Sequence, residues 1–517
     1  MLHAIGFDLG TSGLKAVLVD EFGRVVRSVR ECYPLQTPAP GWAEQDPGVW
    51  WRALLATSRA LLDGGPAPDA VGLTGQMHSA VALGPEDAPL APAILWNDQR
   101  TVRECTGLQV RIGDALAAWT GNPIRTAFTA TRILWLRHHR PDLYAQLGTI
   151  LLPKDWLRLR LTGVLATDVT DASGTGVFDV RRRCWSEDAL QALEIQRAWM
   201  PEAYESATLV SRVDRRGARA SGLLVGTPVA AGAGDQASAA LGSGAVDSGT
   251  LSITLGTSAT VQLPTTLPLS DPSGVFQTFC HGLPDTWQLL AAVLSGGGSL
   301  EWYQHVAQAP EPIAPVAPDE GAAFERLCSA AASVPPGAEG LIFLPYLTGE
   351  AAPHLDPEAR GAWFGLTRRH DHRHLARAVI EGVAFAVRGV VEAAEALKGG
   401  AREIRVSGGA SHGRIWLRTL ANVLGRQITA AGTGDASARG AALLAVAAAT
   451  GRDPRALAAA WAVPGWPLDP EPGAAARYEA QYAIFRELYP ITRHLMHRLA
   501  DLDRTGEATH DVSATDQ

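Results

Sequence analysis

The tetrapeptide Leu-Gly-Thr-Ser occurs at Leu9 to Ser12 and again at Leu255 to Ser258, 246 residues later in a chain of 517. Each copy follows a strand-like apolar run, Ala4 to Asp8 and Leu251 to Thr254. Each is followed by another, Leu14 to Val19 and Ala259 to Leu263. A strand–turn–strand unit of this kind presents backbone N–H groups and short hydroxyls to an anion, and phosphate is the usual anion. Either turn alone is also ordinary Gly/Thr/Ser turn chemistry. The repetition, the matched contexts and the acid at Asp8 predict two related domains gripping one polyphosphate between them. A carboxylate at Asp8 suits Mg²⁺, directly or through water, because that ion prefers oxygen ligands and keeps several waters.

Three further sets of residues could do chemistry. Asp235 sits at the glycine-rich corner Gly232-Ala233-Gly234 before a helix. It reads either as a helix N-cap or as a general base toward a substrate hydroxyl, a role that phosphoryl transfer asks little of. The glycines before it let a ligand approach the backbone closely. Met77-His78 ends a strand: a neutral imidazole can hydrogen-bond a hydroxyl, and Met supplies an adaptable apolar wall. A satisfied structural histidine is the alternative. Ser407-Gly408-Gly409-Ala410-Ser411 is a strand-to-helix turn where backbone could approach an adenine or ribose.

The elements that must position these residues follow a pattern. A meander of strands opens the chain: Ala4 to Asp8, Leu14 to Asp20 and Arg24 to Ser28. Asp46 then caps a helix with Pro47 at its first position. A short strand is expected at Ala70 to Thr74, weakened by its internal glycine. Others are Ala93 to Trp96, Thr149 to Leu152, Pro228 to Ala231 and Ile404 to Val406. Helices are expected at Thr129 to Arg140, from Gln236, at Arg414 to Leu424 and at Ala441 to Ala449. Strands and helices alternate after each opening meander, so the fold class is α/β, twice over. The domains are expected at 1–245 and 246–490. Pro310 to Pro318 reads as a mobile surface insertion. The polar stretch 504–517 reads as a disordered tail.

Composition excludes several classes. A net charge of −8 without a basic stripe argues against nucleic-acid binding. No run is long and apolar enough for a membrane span, and no basic segment followed by an apolar one opens the chain. Five cysteines without metal or disulfide spacing point to a reducing, cytoplasmic home. A Gly-x-x-x-x-Gly-Lys-Ser/Thr loop is missing, so this is not a P-loop protein.

Taken together, the motifs resemble the FGGY carbohydrate kinases of the actin-like ATPase superfamily. The resemblance runs from about Ile5 to about Tyr489. It is carried by Gly6 to Ser12, Trp42 to Pro47, Gly75 to His78, Ile94 to Asp98, Leu152 to Asp155, Asp168 to Thr175, Gly234 to Gln236, Leu344 to Leu347, Ser407 to Gly409 and the stretch from Gly361 to Glu381. It implies two ribonuclease-H-like domains flanking a central cleft, and transfer of a phosphoryl group from MgATP to a sugar. On that resemblance Asp8 would organise Mg²⁺. Thr11, Ser12 and Lys15 would face the ATP phosphates from the first domain, and Gly256 and Thr257 from the second. Gly409 and Ser411 would line the adenosine pocket. Asp235 would be the base, with Met77, His78 and Gln236 on the sugar.

Within that resemblance, the Gln76-Met77-His78 triplet would imply D-xylulose as acceptor. Another pentulose or polyol, or a nonenzymatic ATP-switched member of the superfamily, are the rival readings. Four positions depart from the family pattern: Arg132 for Lys, Ala127 for Gly, Gln236 for Asn, and no Arg-Thr after Gly349-Glu350. No nucleic-acid or membrane partner is expected. The oligomeric state is open, a homodimer included.

Overall fold

The computed structural model describes residues 2–307, 320–431, 435–463 and 465–511. The proline-rich stretch 310–318 lies outside them. The chain forms two compact units. One comprises Met1–Ser248, Pro264–Leu289 and Asp435–Val463, the other Gly249–Leu263, Leu290–Gly434 and Pro464–Gln517.

The first unit is built on a sheet ordered Leu209–Arg212, Pro228–Ala230, Ala70–Gly75, His3–Leu9, Gly13–Asp20, Val25–Cys32, with Ala233–Gly234 also paired to Ala70–Gly75. His3–Leu9 and Gly13–Asp20 form the first hairpin, with Asp8 directly opposite Lys15. The strand Ala70–Gly75 runs parallel to His3–Leu9, so the turn at Gln76 emerges beside the hairpin tip.

Both faces of this sheet are covered, as parallel pairing demands. One face packs Phe7, Leu14 and Leu73 against Trp50 and Leu54 of the helix Pro47–Leu62 and Trp156 of the helix Pro153–Thr162. The other packs Ala4, Val17 and Ala70 against the small-residue helices Asp235–Ser243 and Ala436–Thr450. There the contact is at backbone distance. A Cβ on Gly72 would lie 1.8 Å from the Ala441 carbonyl oxygen, and one on Gly6 would lie 1.9 Å from that of Ala438. The glycine that weakens the strand reading of Ala70 to Thr74 is thus what lets the helix sit on a fully buried strand.

The second unit repeats the plan. Thr250–Leu255 and Ala259–Thr265 form the second hairpin, with Glu403–Ser407 parallel to the first of these strands, then Ile428–Ala430 parallel and Trp466–Leu468 antiparallel. The helix Arg414–Leu424 has the predicted bounds. One helix is longer than expected, Ala436–Thr450, and a last one, Ala474–Asp511, is absent from the sequence reading. The latter is a correction, since the helix continues through residues 504–511, where a disordered tail is expected. Residues 512–517 lie outside the description.

Candidate active site

At the first hairpin the turn runs Gly10-Thr11-Ser12-Gly13 and closes with Gly10 N–H donating to the Gly13 carbonyl at 3.0 Å. Side chains from neighbouring elements hold its carbonyls. Tyr33 Oη donates to the Gly10 carbonyl at 2.7 Å, and Gln45 Nε2 to that of Thr11 at 2.7 Å. The Thr11 hydroxyl accepts from Trp96 Nε1 at 3.1 Å and donates to Gln76 Oε1 at 3.2 Å. That hydroxyl is therefore taken up in tying the tip to the Gln76-Met77-His78 turn. Ser12 is exposed, with Arg30 Nη2 donating to its Oγ at 3.3 Å.

Asp8 sits half-buried at the end of its strand. Burial pushes its carboxyl up to about 6; Lys15 pulls it down and Asp435 pushes it further up. Lys15 ion-pairs with Asp435, just before the helix Ala436–Thr450.

Asp235 opens the helix Asp235–Ser243, but the capping position is Gly234, and no side chain caps that end. The capping alternative for Asp235 is therefore not what the structure shows. Burial raises its carboxyl to about 7, with the negative charge of Asp8 as the next contribution; backbone and side-chain hydrogen bonds from Gln236 oppose the shift. The charge of Asp8 thus disfavours ionisation of Asp235, surroundings that suit a cation or a proton-accepting role. Among the described residues no three His, Cys, Asp or Glu side chains converge as a metal cage. A pair of carboxylates fits Mg²⁺, which usually takes one or two protein oxygens and fills its shell with water and phosphate.

Met77 is buried against the Asp235 loop. A Cβ on Gly234 would lie 2.7 Å from Met77 Cγ and 3.1 Å from Asp171 Oδ1. His78 takes a left-handed backbone (φ 68°). Its ring packs on Phe128 and Phe279, and Nδ1 lies 3.0 Å from the Gly174 carbonyl. A carbonyl can only accept, so Nδ1 carries the hydrogen and Nε2 is left as an acceptor. Burial lowers the imidazole to about 4, which keeps it neutral at physiological pH.

In the second unit the turn Gly256-Thr257-Ser258 is one residue shorter and closes with Gly256 N–H donating to the Ser258 carbonyl at 2.9 Å. A glycine run backs it: Gly297 N–H donates to the Gly256 carbonyl, and Gly296 and Gly298 N–H donate to that of Thr257, at 2.8, 2.9 and 3.1 Å. Gly408, at φ 96°, passes so close to Leu255 that a Cβ would meet its carbonyl oxygen at 2.4 Å. Next to it Gly409 has open space around its α-carbon, and Ser411 donates its hydroxyl to the Gly408 carbonyl at 2.6 Å.

The sequence matches the N-terminal domain of the FGGY family of carbohydrate kinases over residues 3–242 and the C-terminal domain of that family over 251–449. The chain belongs to the FGGY family of carbohydrate kinases. It is 38% identical to the xylulose kinase of Escherichia coli (strain K12), over 95% of this chain and 99% of that protein. It is 36% identical to the xylulose kinase of Klebsiella pneumoniae, over 95% of this chain and 99% of that protein. A crystal structure of a "xyloylose kinase" from Brucella ovis superposes with a TM-score of 0.87 at 34% identity, covering 95% of this chain and all of that one. The fold is that of the actin-like sugar kinases, and the protein is a phosphotransferase.

Several residues of this FGGY kinase that shape the site carry no role in the sequence reading. Arg132, which replaces the usual Lys, is fully buried, and its fork donates to the Leu95, Thr126, Ala127 and Phe128 carbonyls. A point-charge ammonium could not reach so many acceptors at once. Lys154 is also fully buried, with Nζ 2.6 Å from Asp155, 2.8 Å from Asp168 and 2.8 Å from Asp171. Its acidic partners at 155, 168 and 171 are visible in the sequence, but their convergence is not. Among the described residues no helix is long and apolar enough to cross a membrane.

Proposed function

We propose that this kinase transfers the γ-phosphoryl group of MgATP to the terminal hydroxyl of D-xylulose, giving D-xylulose 5-phosphate. The observation that carries the reading is Asp235: an uncapped carboxylate at a helix start, held near neutrality in its proton affinity, beside Asp8 and against the Met77 turn. The xylulose kinases among its relatives support the choice of sugar.

Asp235 accepts the hydroxyl proton as the acceptor oxygen bonds to phosphorus and the bond to ADP breaks. Gln236, hydrogen-bonded to that carboxylate, orients it and faces the sugar with Met77 and His78. The lone pair on His78 Nε2 accepts from a sugar hydroxyl. Asp8 would supply an oxygen for Mg²⁺, which when bound would neutralise charge on the phosphoryl oxygens. Thr11 and Ser12 offer backbone N–H groups to the phosphates and Lys15 its ammonium. In the second unit Gly256 shapes the turn whose Thr257 N–H is offered to phosphate, and Gly409 with Ser411 adjoins the adenosine.

The test is kcat/KM with MgATP across pentuloses, hexuloses and polyols, with the product weighed by mass spectrometry. D-xylulose should lead the panel. A different leading acceptor would overturn the choice of sugar and leave the chemistry standing. ATP turnover without any phosphorylated sugar would favour the nonenzymatic reading instead.

A further inference from the structure

The loop that brings Asp235 into place, Ala231 to Gly234, carries almost no side-chain bulk of its own. Besides the Thr208 carbonyl, which accepts from Ala231 N–H at 2.9 Å, and the pairing of Ala233–Gly234 with Ala70–Gly75, three further supports hold its backbone. Arg158 Nη1 donates to the Ala231 carbonyl at 2.5 Å. The Ser206 carbonyl accepts from Gly232 N–H at 3.1 Å. Thr170 Oγ1 accepts from Gly234 N–H at 2.8 Å.

All three supports lead to one buried network. Thr170 Oγ1 donates to Asp168 Oδ2 at 2.6 Å, and Ser206 Oγ donates to the same oxygen at 3.2 Å. The other oxygen of Asp168 lies on Lys154 Nζ at 2.8 Å, and Arg158 and Lys154 share Asp155 Oδ1. Lys154, Asp155, Arg158, Asp168, Thr170 and Asp171 are all wholly inaccessible to solvent. The same segment reaches the sugar side. Gly174 N–H donates to the Asp171 carbonyl, and the Gly174 carbonyl accepts from His78 Nδ1.

We infer that the segment Asp168 to Gly174, anchored on Lys154, is a positioning device that holds the Asp235 loop and the His78 ring in one fixed geometry, with the Thr170 hydroxyl as its link to the base. Thr170 touches no reacting atom. Its hydroxyl accepts from Gly234 N–H and donates to Asp168 at once, so serine can replace it and valine cannot. Charged, buried and ion-paired through Lys154, the network resists displacement, because removing one partner strands the others.

The inference rests on Asp235 as the base, so both residues are varied in parallel. Thr170→Val should lower kcat at least tenfold, with the Kd for ATP unchanged within twofold. Thr170→Ser should restore kcat to within about threefold of the wild type. Asp235→Asn, measured alongside, should abolish transfer. If Asp235→Asn removes activity while folded Thr170→Val keeps kcat within twofold, the positioning role is wrong and the base stands. If Asp235→Asn keeps activity, the base itself is wrong. Should Thr170→Val fail to fold, Thr170→Ala takes its place, judged by the same split between kcat and ATP Kd. Equal losses in both quantities, unrepaired by serine, would mean a merely structural residue and overturn the proposal.

Discussion

The two Leu-Gly-Thr-Ser hairpins share a sequence and a topology, yet they are built to do different work. In both, a parallel third strand lies beside the first strand of the hairpin. At the residue before the shared leucine, the first hairpin has Asp8, opposite Lys15 and alongside Thr74. The second has Thr254, opposite Thr260 and alongside Ser407, whose hydroxyl lies 3.3 Å from its own. One hairpin is charged and the other neutral. Their tips are also supported differently. Tyr33, Gln45, Trp96 and Gln76 grip the first with side chains, whereas Gly296, Gly297 and Gly298 grip the second with backbone alone. A duplicated turn can thus keep its strand pairing while only one copy carries charge.

The largest expected effect separates the copies by charge. Asp8→Asn should lower kcat by ~10²–10³, the scale of losing a group aimed at developing charge, and should raise the Mg²⁺ concentration needed for half-maximal rate. Thr254→Val removes one neutral hydrogen bond, worth about 1 kcal/mol, and should leave the Mg²⁺ dependence alone. Equal losses from both variants would break the distinction.

Next comes the support of the second tip. A Cβ on Gly296 would lie 2.4 Å from the Ser258 carbonyl carbon. Gly296→Ala should therefore cost ~1–3 kcal/mol of stability through overpacking and raise KM for ATP about tenfold by the same displacement, with KM for sugar unchanged. Steady-state titration of each substrate and a thermal melt check both.

The pH dependence sharpens the same contrast. Burial pushes the carboxyls of Asp235 and Asp8 up to about 7 and about 6, against 3.8 ordinarily. Between 3.8 and those values the native state holds protons that the unfolded chain has lost, so stability falls as pH rises through that window. Asp235→Asn removes its share of the fall. Its Tm should exceed that of the wild type at pH 8 and match it at pH 3.5, in melts buffered at each pH. No second-hairpin variant should show this crossover. The wild-type kcat/KM should rise with pH toward a plateau above 7 as the base deprotonates. The smallest effect is at the first tip: Tyr33→Phe loses the 2.7 Å bond to Gly10, about 1 kcal/mol, and should raise KM for ATP only a few-fold.

Much of this was legible because it is local. The repeated tetrapeptide, its flanking strands, Asp46 and Pro47 at a helix start, and the helix at Arg414 all follow from residues close in the chain. What was hidden depends on residues far apart in sequence. Gly72 looks like a weak point in a strand until the helix bearing Ala441 is laid on it. Lys15 meets Asp435 only through the fold. Gly234, not Asp235, takes the cap, and its N–H is held by the distant, buried Thr170 hydroxyl. Residues 504–511 lack apolar periodicity, yet they extend a helix whose earlier turns bury Tyr478, Tyr482, Phe485 and Tyr489.

The most direct test of the account is transfer by Asp235→Asn with saturating MgATP and D-xylulose, read as sugar phosphate formed per enzyme, beside the affinity for ATP. The account predicts a loss of ~10²–10⁴, the worth of a general base, with ATP binding preserved. Sugar phosphorylation within about tenfold of the wild type, below that range, would contradict it.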